Sequence, residues 1–185
     1  MDRLHTRLAR FEDAFPGFLT EIVEGSVTAT PVTPYHGRTT HRVGVALEPQ
    51  LAAGWGVVSR VAVPFDDDNE FCPDLAVIPT TEIARNRLSC PPELIALVVE
   101  VVAKGSVRRD YEIKPRKYAS RGIADYLLFD PLQGHAVTMW NPGPEGYRGQ
   151  DTVPYGADLA VDTPLGKLTI PTAALPVDGK APGRS

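Results

Sequence analysis

The sequence predicts an α/β fold, a mixed central sheet flanked by helices, and three features of its 185 residues carry that expectation. The stretch "LIALVVEVV" at 94–102 has eight apolar residues in nine, and its β-branched Ile95, Val98, Val99, Val101 and Val102 suit a strand covered on both faces. After it, "KGSVRRDYEIKPRKYASRG" reads as a loop and then a helix closed by Gly122, followed by a further strand in "IADYLLFDP". Two earlier apolar runs complete the order strand, strand, strand, helix, strand, which suits a sheet with helices on its faces.

The remaining elements follow in chain order. Leu4, Leu8, Phe11 and Phe15 recur at helical spacing, and Pro16-Gly17 ends that helix. "LTEIVEGSVTATP" alternates about Glu24-Gly25 and predicts two short strands joined by a tight turn. Val43, Ala46, Leu47 and Leu51 share one face of a helix expected from Tyr35 to Ala53, interrupted near Pro49. "WGVVSRVAVPF" and "FCPDLAVIP" read as paired strands joined by the acidic turn "DDDNE". Residues 80–93, polar and bounded by prolines, form a loop or short helix. "HAVTMWNP", "GYRGQDTVP" and "GKLTIP" supply short antiparallel strands. One domain over residues 1–176 and a flexible tail over 177–185 are expected.

Composition narrows the function. Apolar residues make up 43% and charged residues 23%, the balance of a chain that folds. No apolar run is long enough to cross a bilayer, and "MDRLHTRLARFEDAF" lacks a signal-peptide core, so a cytoplasmic protein without membrane contact is expected. Cys72 and Cys90 form no CxxC pair, which argues against a thiolate zinc site or a disulfide framework. The net charge of −4 argues against a generally basic coat, yet the charge is uneven. Lys104, Arg108, Arg109, Lys114, Arg116, Lys117 and Arg121 crowd 104–121, whereas Asp66, Asp67, Asp68, Glu70 and Asp74 crowd 66–74.

Glu100, the single carboxylate of its strand, is costly to desolvate. It either lies at a strand end where the sheet opens, or meets a metal, Lys or Arg. There is no P-loop, no GxGxxG after a strand, no GxSxG and no HExxH, and no organic cofactor is expected. Asp74 enters the "LAVIP" strand; if that strand neighbours the Glu100 strand, the two carboxylates converge on one hard cation such as Mg²⁺ or Mn²⁺. The structural alternatives are a Pro-Asp turn for Asp74, pairing of Glu100 with Arg108 or Lys104, and a solvated helix face for Lys114, Arg116 and Lys117. His36 could cap a helix. Tyr118, Tyr126 and Phe129 are expected in the core or at its rim.

Taken together, "EIVEG", "CPDLAVIP", "ALVVEVVAKGSVRRDYEIKPRKYASRGIADYLLFDP" and their order resemble the Uma-two family of restriction-endonuclease-like proteins, a branch of the PD-(D/E)XK nuclease superfamily, from about Leu19 to Leu175. The resemblance implies a restriction-endonuclease-like sheet and a DNA endonuclease using Mg²⁺ or Mn²⁺. Asp74 matches the first metal-binding carboxylate and Glu100 the acidic residue of (D/E)XK. Residue 102 is Val where the motif has Lys, and the lysine moves to Lys114, four residues from both Asp110 and Tyr118. Glu21 and His36 match an upstream carboxylate and a histidine of the family, as further catalytic residues. Two local departures are "EVVAKGS" where many relatives read "EVLSPST", and Pro115 directly after Lys114. Lys104, Arg108, Arg109, Arg116 and Lys117 would contact DNA phosphates. By analogy with the superfamily a homodimer is expected, with the final strands as candidate interface. The rival readings are an inactive nucleic-acid-binding or protein-interaction module on the same fold, and a hydrolase of small phosphate esters.

Overall fold

The computed structural model describes residues 3–178 and is organised on a six-stranded sheet in the order β10-β9-β8-β7-β6-β3. Its strands are β3 (Trp55–Val58), β6 (Leu75–Pro79), β7 (Leu97–Val101), β8 (Asp125–Asp130), β9 (His135–Gly143) and β10 (Gly146–Pro154). Every pair is antiparallel except β7 with β8, and that parallel pair needs the helical crossover that joins them. The run is apolar at eight of its nine positions because β7 is covered twice. Val98 packs with Ala76, Ile78, Tyr126 and Tyr118 on one face. Leu97, Val99 and Val101 pack with Val43, Leu47 and Phe129 on the other.

A four-stranded sheet, β2-β1-β5-β4, stands beside it, built from β1 (Phe18–Val23), β2 (Ser26–Pro31), β4 (Val63–Asp66) and β5 (Asn69–Phe71). Helix α1 (Arg3–Ala14) lies on β1 and β2. Helix α2 (Pro34–Leu47) buries His36, Thr39, Val43 and Leu47 at helical spacing, and continues into a 3₁₀ turn over Glu48–Gln50. Thr33 caps it, its hydroxyl accepting from the His36 amide at 3.3 Å, and Pro34 occupies the first turn. The hairpin of β11 (Asp158–Thr163) and β12 (Gly166–Pro171) packs against α2. Short helix α3 (Thr80–Ala84) opens the 80–93 segment.

The structure corrects one strand assignment. "WGVVSRVAVPF" is not a single strand paired with "FCPDLAVIP". It breaks between β3, which pairs with β6, and β4, which pairs with β5 in the other sheet. The break falls at Arg60, whose φ of +55° is left-handed and cannot continue a strand. The crossover after β7 is a five-residue π turn over Arg109–Ile113 running into α4 (Lys114–Ser120). Gly122, at φ +74°, closes α4 with its amide on Ala119 O and the Ile123 amide on Tyr118 O, a Schellman ending.

Of the expected C-terminal tail, Asp178 donates its amide to Pro131 O at 2.8 Å, and residues 179–185 lie outside the described residues. Among the described residues no helix is long and apolar enough to cross a membrane.

Candidate active site

Extending the β6–β7 register by one step from Leu75 opposite Val99 sets Asp74 opposite Glu100. Cross-strand neighbours of this kind share a face and lie within side-chain reach. Both are buried, and Asp74 Oδ2 accepts the Val101 amide at 2.8 Å, which fixes its carboxylate against β7.

Lys114 closes the site from above. Its Nζ donates to Glu100 Oε1 and contacts Glu21 Oε1, each at 2.8 Å, and lies 3.7 Å from Asp110 Oδ1, with the side chain 1% exposed. Glu21, on β1, also accepts from the Cys72 amide at 2.9 Å and faces Arg109 Nε at 3.2 Å. Tyr118 adds a hydroxyl to Glu100 Oε1 at 2.9 Å, and its ring packs edge-on against Phe65 and Phe71. His36 Nε2 stands 3.2 Å from Asp74 Oδ2, while the buried His36 Nδ1 has no hydrogen-bond partner among the described residues.

The π turn explains how Lys114 reaches this position despite Pro115. Proline has no N–H and its ring crowds the carbonyl four residues back, so a regular turn before it is disfavoured. Here the Lys114 amide bonds Arg109 O instead, and Pro115 sits in the first turn of α4. The widened turn keeps Asp110 and Lys114 both facing inward. Asp110 accepts a short hydrogen bond from Ser106, whose Oγ also accepts the Ala103 amide at 2.9 Å. That serine supplies a hydroxyl where "EVVAKGS" has Ala103.

Electrostatically the cluster has a surplus of acids. Glu21, Asp74, Glu100 and Asp110 are buried, against the buried cations Arg109 and Lys114. Burial first, then the neighbouring carboxylates, push Glu100 well above the usual carboxylate range in spite of Lys114. Burial likewise raises Asp110 to about 6, and Cys72 to about 12 with help from Glu21. Burial alone would lower Lys114, but Glu100, Glu21 and Asp110 outweigh it and hold the ammonium charged.

That surplus, with two carboxylates opposed on adjacent strands, is a donor set a hard divalent cation fits. Among the described residues no three His, Cys, Asp or Glu side chains form a ready shell. An ion held by Asp74 and Glu100 would therefore complete its coordination with water and phosphate oxygens, the habit of Mg²⁺.

Of the five residues assigned catalytic roles from sequence, His36 pairs with Asp74, and Glu21 and Glu100 both meet Lys114; the two groups adjoin through the strand register that sets Asp74 opposite Glu100. The five expected to contact phosphate do not form one surface. Arg109 is a correction: its side chain, 9% exposed, turns inward to Glu21, Thr28 and Thr30, because the buried acids attract it more than solvent does. Lys104 approaches Asp178 at 3.6 Å, Arg108 lies near Glu24 and Glu112 at 3.8 and 3.7 Å, and Lys117 donates to Asp66 at 2.8 Å. Arg116 is exposed. The sequence reading left Tyr118 and Ser106 out of the site. Only the four-residue spacing of Tyr118 from Lys114 signalled its contact with Glu100.

Comparison with known proteins agrees with this architecture. The solved structure of a "putative nuclease belonging to DUF820" from Anabaena variabilis ATCC 29413 superposes with a TM-score of 0.56 over 77% of this chain and 80% of that one, at 14% identity. At that identity the likeness establishes the fold. The chain belongs to the Uma2 family, described as "Putative restriction endonuclease", whose pattern matches residues 7–175. No curated protein matches the sequence.

Lys114→Met leaves Glu100 buried without its counter-ion and Glu21 with Arg109 alone, and should cost about 3–5 kcal/mol in urea unfolding at pH 8, and less at pH 5, where protonation relieves the carboxylates. Asp110 has a folded pKa above its unfolded value, so the stability it contributes is full below pH 3.8 and is lost as pH rises through about 6. Asp110→Asn should therefore gain on the wild type by about 1–3 kcal/mol between pH 4 and pH 7, read from paired urea curves.

Proposed function

We propose that this protein is a divalent-metal-dependent endonuclease that hydrolyses phosphodiester bonds of DNA. The observation that carries the reading is Asp74 set opposite Glu100, with the Lys114 ammonium 2.8 Å from Glu100 Oε1. This is the acidic pair and lysine that the superfamily motif calls for, with the lysine delivered from α4 instead of from position 102.

Asp74 and Glu100 would hold Mg²⁺ or Mn²⁺. When bound, such an ion polarises the scissile phosphate and lowers the pKa of an attacking water. The rest of the chemistry belongs to the chain. Lys114, kept charged by three acids, supplies a fixed positive charge where negative charge develops on the phosphate. Glu21 and Asp110 hold that ammonium in place, and Arg109 in turn holds Glu21. The Val101 amide and His36 orient Asp74 through one oxygen, Oδ2. A homodimer carrying two such sites would cut both strands of a duplex.

A non-catalytic binding module is the second reading, favoured by Val102 in place of the motif lysine and by the absence of a ready three-ligand shell among the described residues. Cleavage separates the two. Incubation of plasmid and single-stranded DNA with Mg²⁺, Mn²⁺ or EDTA should show metal-dependent cutting by the wild type. It should fall below detection in folded Asp74→Ala and Glu100→Ala proteins. A folded wild type that binds DNA and never cuts it supports the module.

A further inference from the structure

An open groove of about 470 Å³ runs along α2 to the active site, its walls including His36, His41, Gly44 and Arg60 and its floor Asp74 and Leu75. Asp74 is shared by this groove and the buried carboxylate cluster, whereas Glu100 does not line the groove. The groove is the solvent-facing approach to Asp74. None of the basic residues of 104–121 lines it.

Arg60 stands out at its edge for two independent reasons. Its φ of +55° is uncommon for a side-chain-bearing residue, and such strained positions concentrate at ligand clamps and active sites. Arg60 is exposed, borders two neighbouring grooves as well as this one, and its side chain makes no hydrogen bond or ion pair among the described residues. The strained backbone is tied to the site, since the Arg60 amide donates to the carbonyl of Pro73, the residue before Asp74, at 3.2 Å. The one other acid of the groove wall, Glu48, spends its Oε2 on the Val57 amide at 2.8 Å. His41, opposite on α2, also has no partner among the described residues.

We propose that this groove seats a single nucleic-acid strand, with Arg60 as the residue that binds the phosphate next to the scissile one. The inference rests on the endonuclease reading and adds the route of its substrate. The volume lies in the range of small-ligand sites and suits one or two nucleotides, so a duplex would enter only with one strand locally unpaired. An arginine fork bidentate on phosphate explains why the strain at this position is kept, and why the side chain is left without a protein partner.

The test is binding of a labelled single-stranded oligonucleotide in EDTA, followed by anisotropy across a salt series, for wild type, Arg60→Gln, Arg60→Lys and Arg60→Gly. Arg60→Gln and Arg60→Gly should bind about tenfold more weakly and lose about 0.7 from the slope of log K against log salt, the loss of one phosphate contact on a single strand. Arg60→Lys should keep most of that slope. Arg60→Gly relieves the left-handed backbone, so its unfolding midpoint should hold or rise; a fall would make Arg60 a structural residue and overturn the proposal. Unchanged binding by Arg60→Gln alongside a wild type that cuts DNA overturns this inference alone. A wild type that neither binds nor cuts overturns the endonuclease reading with it.

Discussion

The interaction on which the site depends is the Lys114 ammonium buried between Glu21 and Glu100. It joins β1 of the smaller sheet, β7 of the larger one and the start of α4. Ion pairs this deep contribute little net stability against an apolar packing of the same shape, because desolvation consumes most of the Coulombic gain. What they do is make wrong arrangements expensive. With Lys114 elsewhere, the acids of three separate segments would face one another with only Arg109 as counter-charge. The π turn and Pro115 belong to the same constraint, since they let a lysine at a helix entrance point into the core, and π turns recur at functional sites for such reasons.

Around that knot the aromatic packing is continuous. Phe65, Phe71, Tyr118 and Tyr126 pack in tilted and edge-on contacts, with ring centroids 5.0 to 5.7 Å apart, beside the charged cluster. Tyr126 donates its hydroxyl to Asp110 O at 2.7 Å, and Lys114 Nζ lies 5.8 Å over the Phe71 ring. The polar cluster therefore rests on a rigid apolar floor, which holds the carboxylates where solvation would otherwise scatter them.

Much of this was legible in the sequence because it is encoded locally. The unbroken apolar run of β7 announced burial on both faces, the single Glu100 within it announced a compensating charge, and the four-residue steps from Asp110 to Lys114 to Tyr118 announced a shared side of one helix. The parts that were not legible depend on contacts distant in sequence. Nothing within "WGVVSRVAVPF" reveals that Arg60 adopts a left-handed backbone and sends the two halves to different sheets. Nor does the basic composition of 104–121 reveal that Arg109 turns inward, since its partners Glu21, Thr28 and Thr30 lie about eighty positions away. Charge density in sequence measured the segment's composition; which charges reach solvent was decided by where the acids of β1 came to rest.

If the opposed carboxylates of Asp74 and Glu100 hold a divalent ion, calorimetric titration of the protein with Mn²⁺ should show saturable binding by the wild type and its loss in folded Asp74→Asn and Glu100→Gln variants. Binding that survives both substitutions, or a folded wild type that takes up no Mn²⁺, would contradict it.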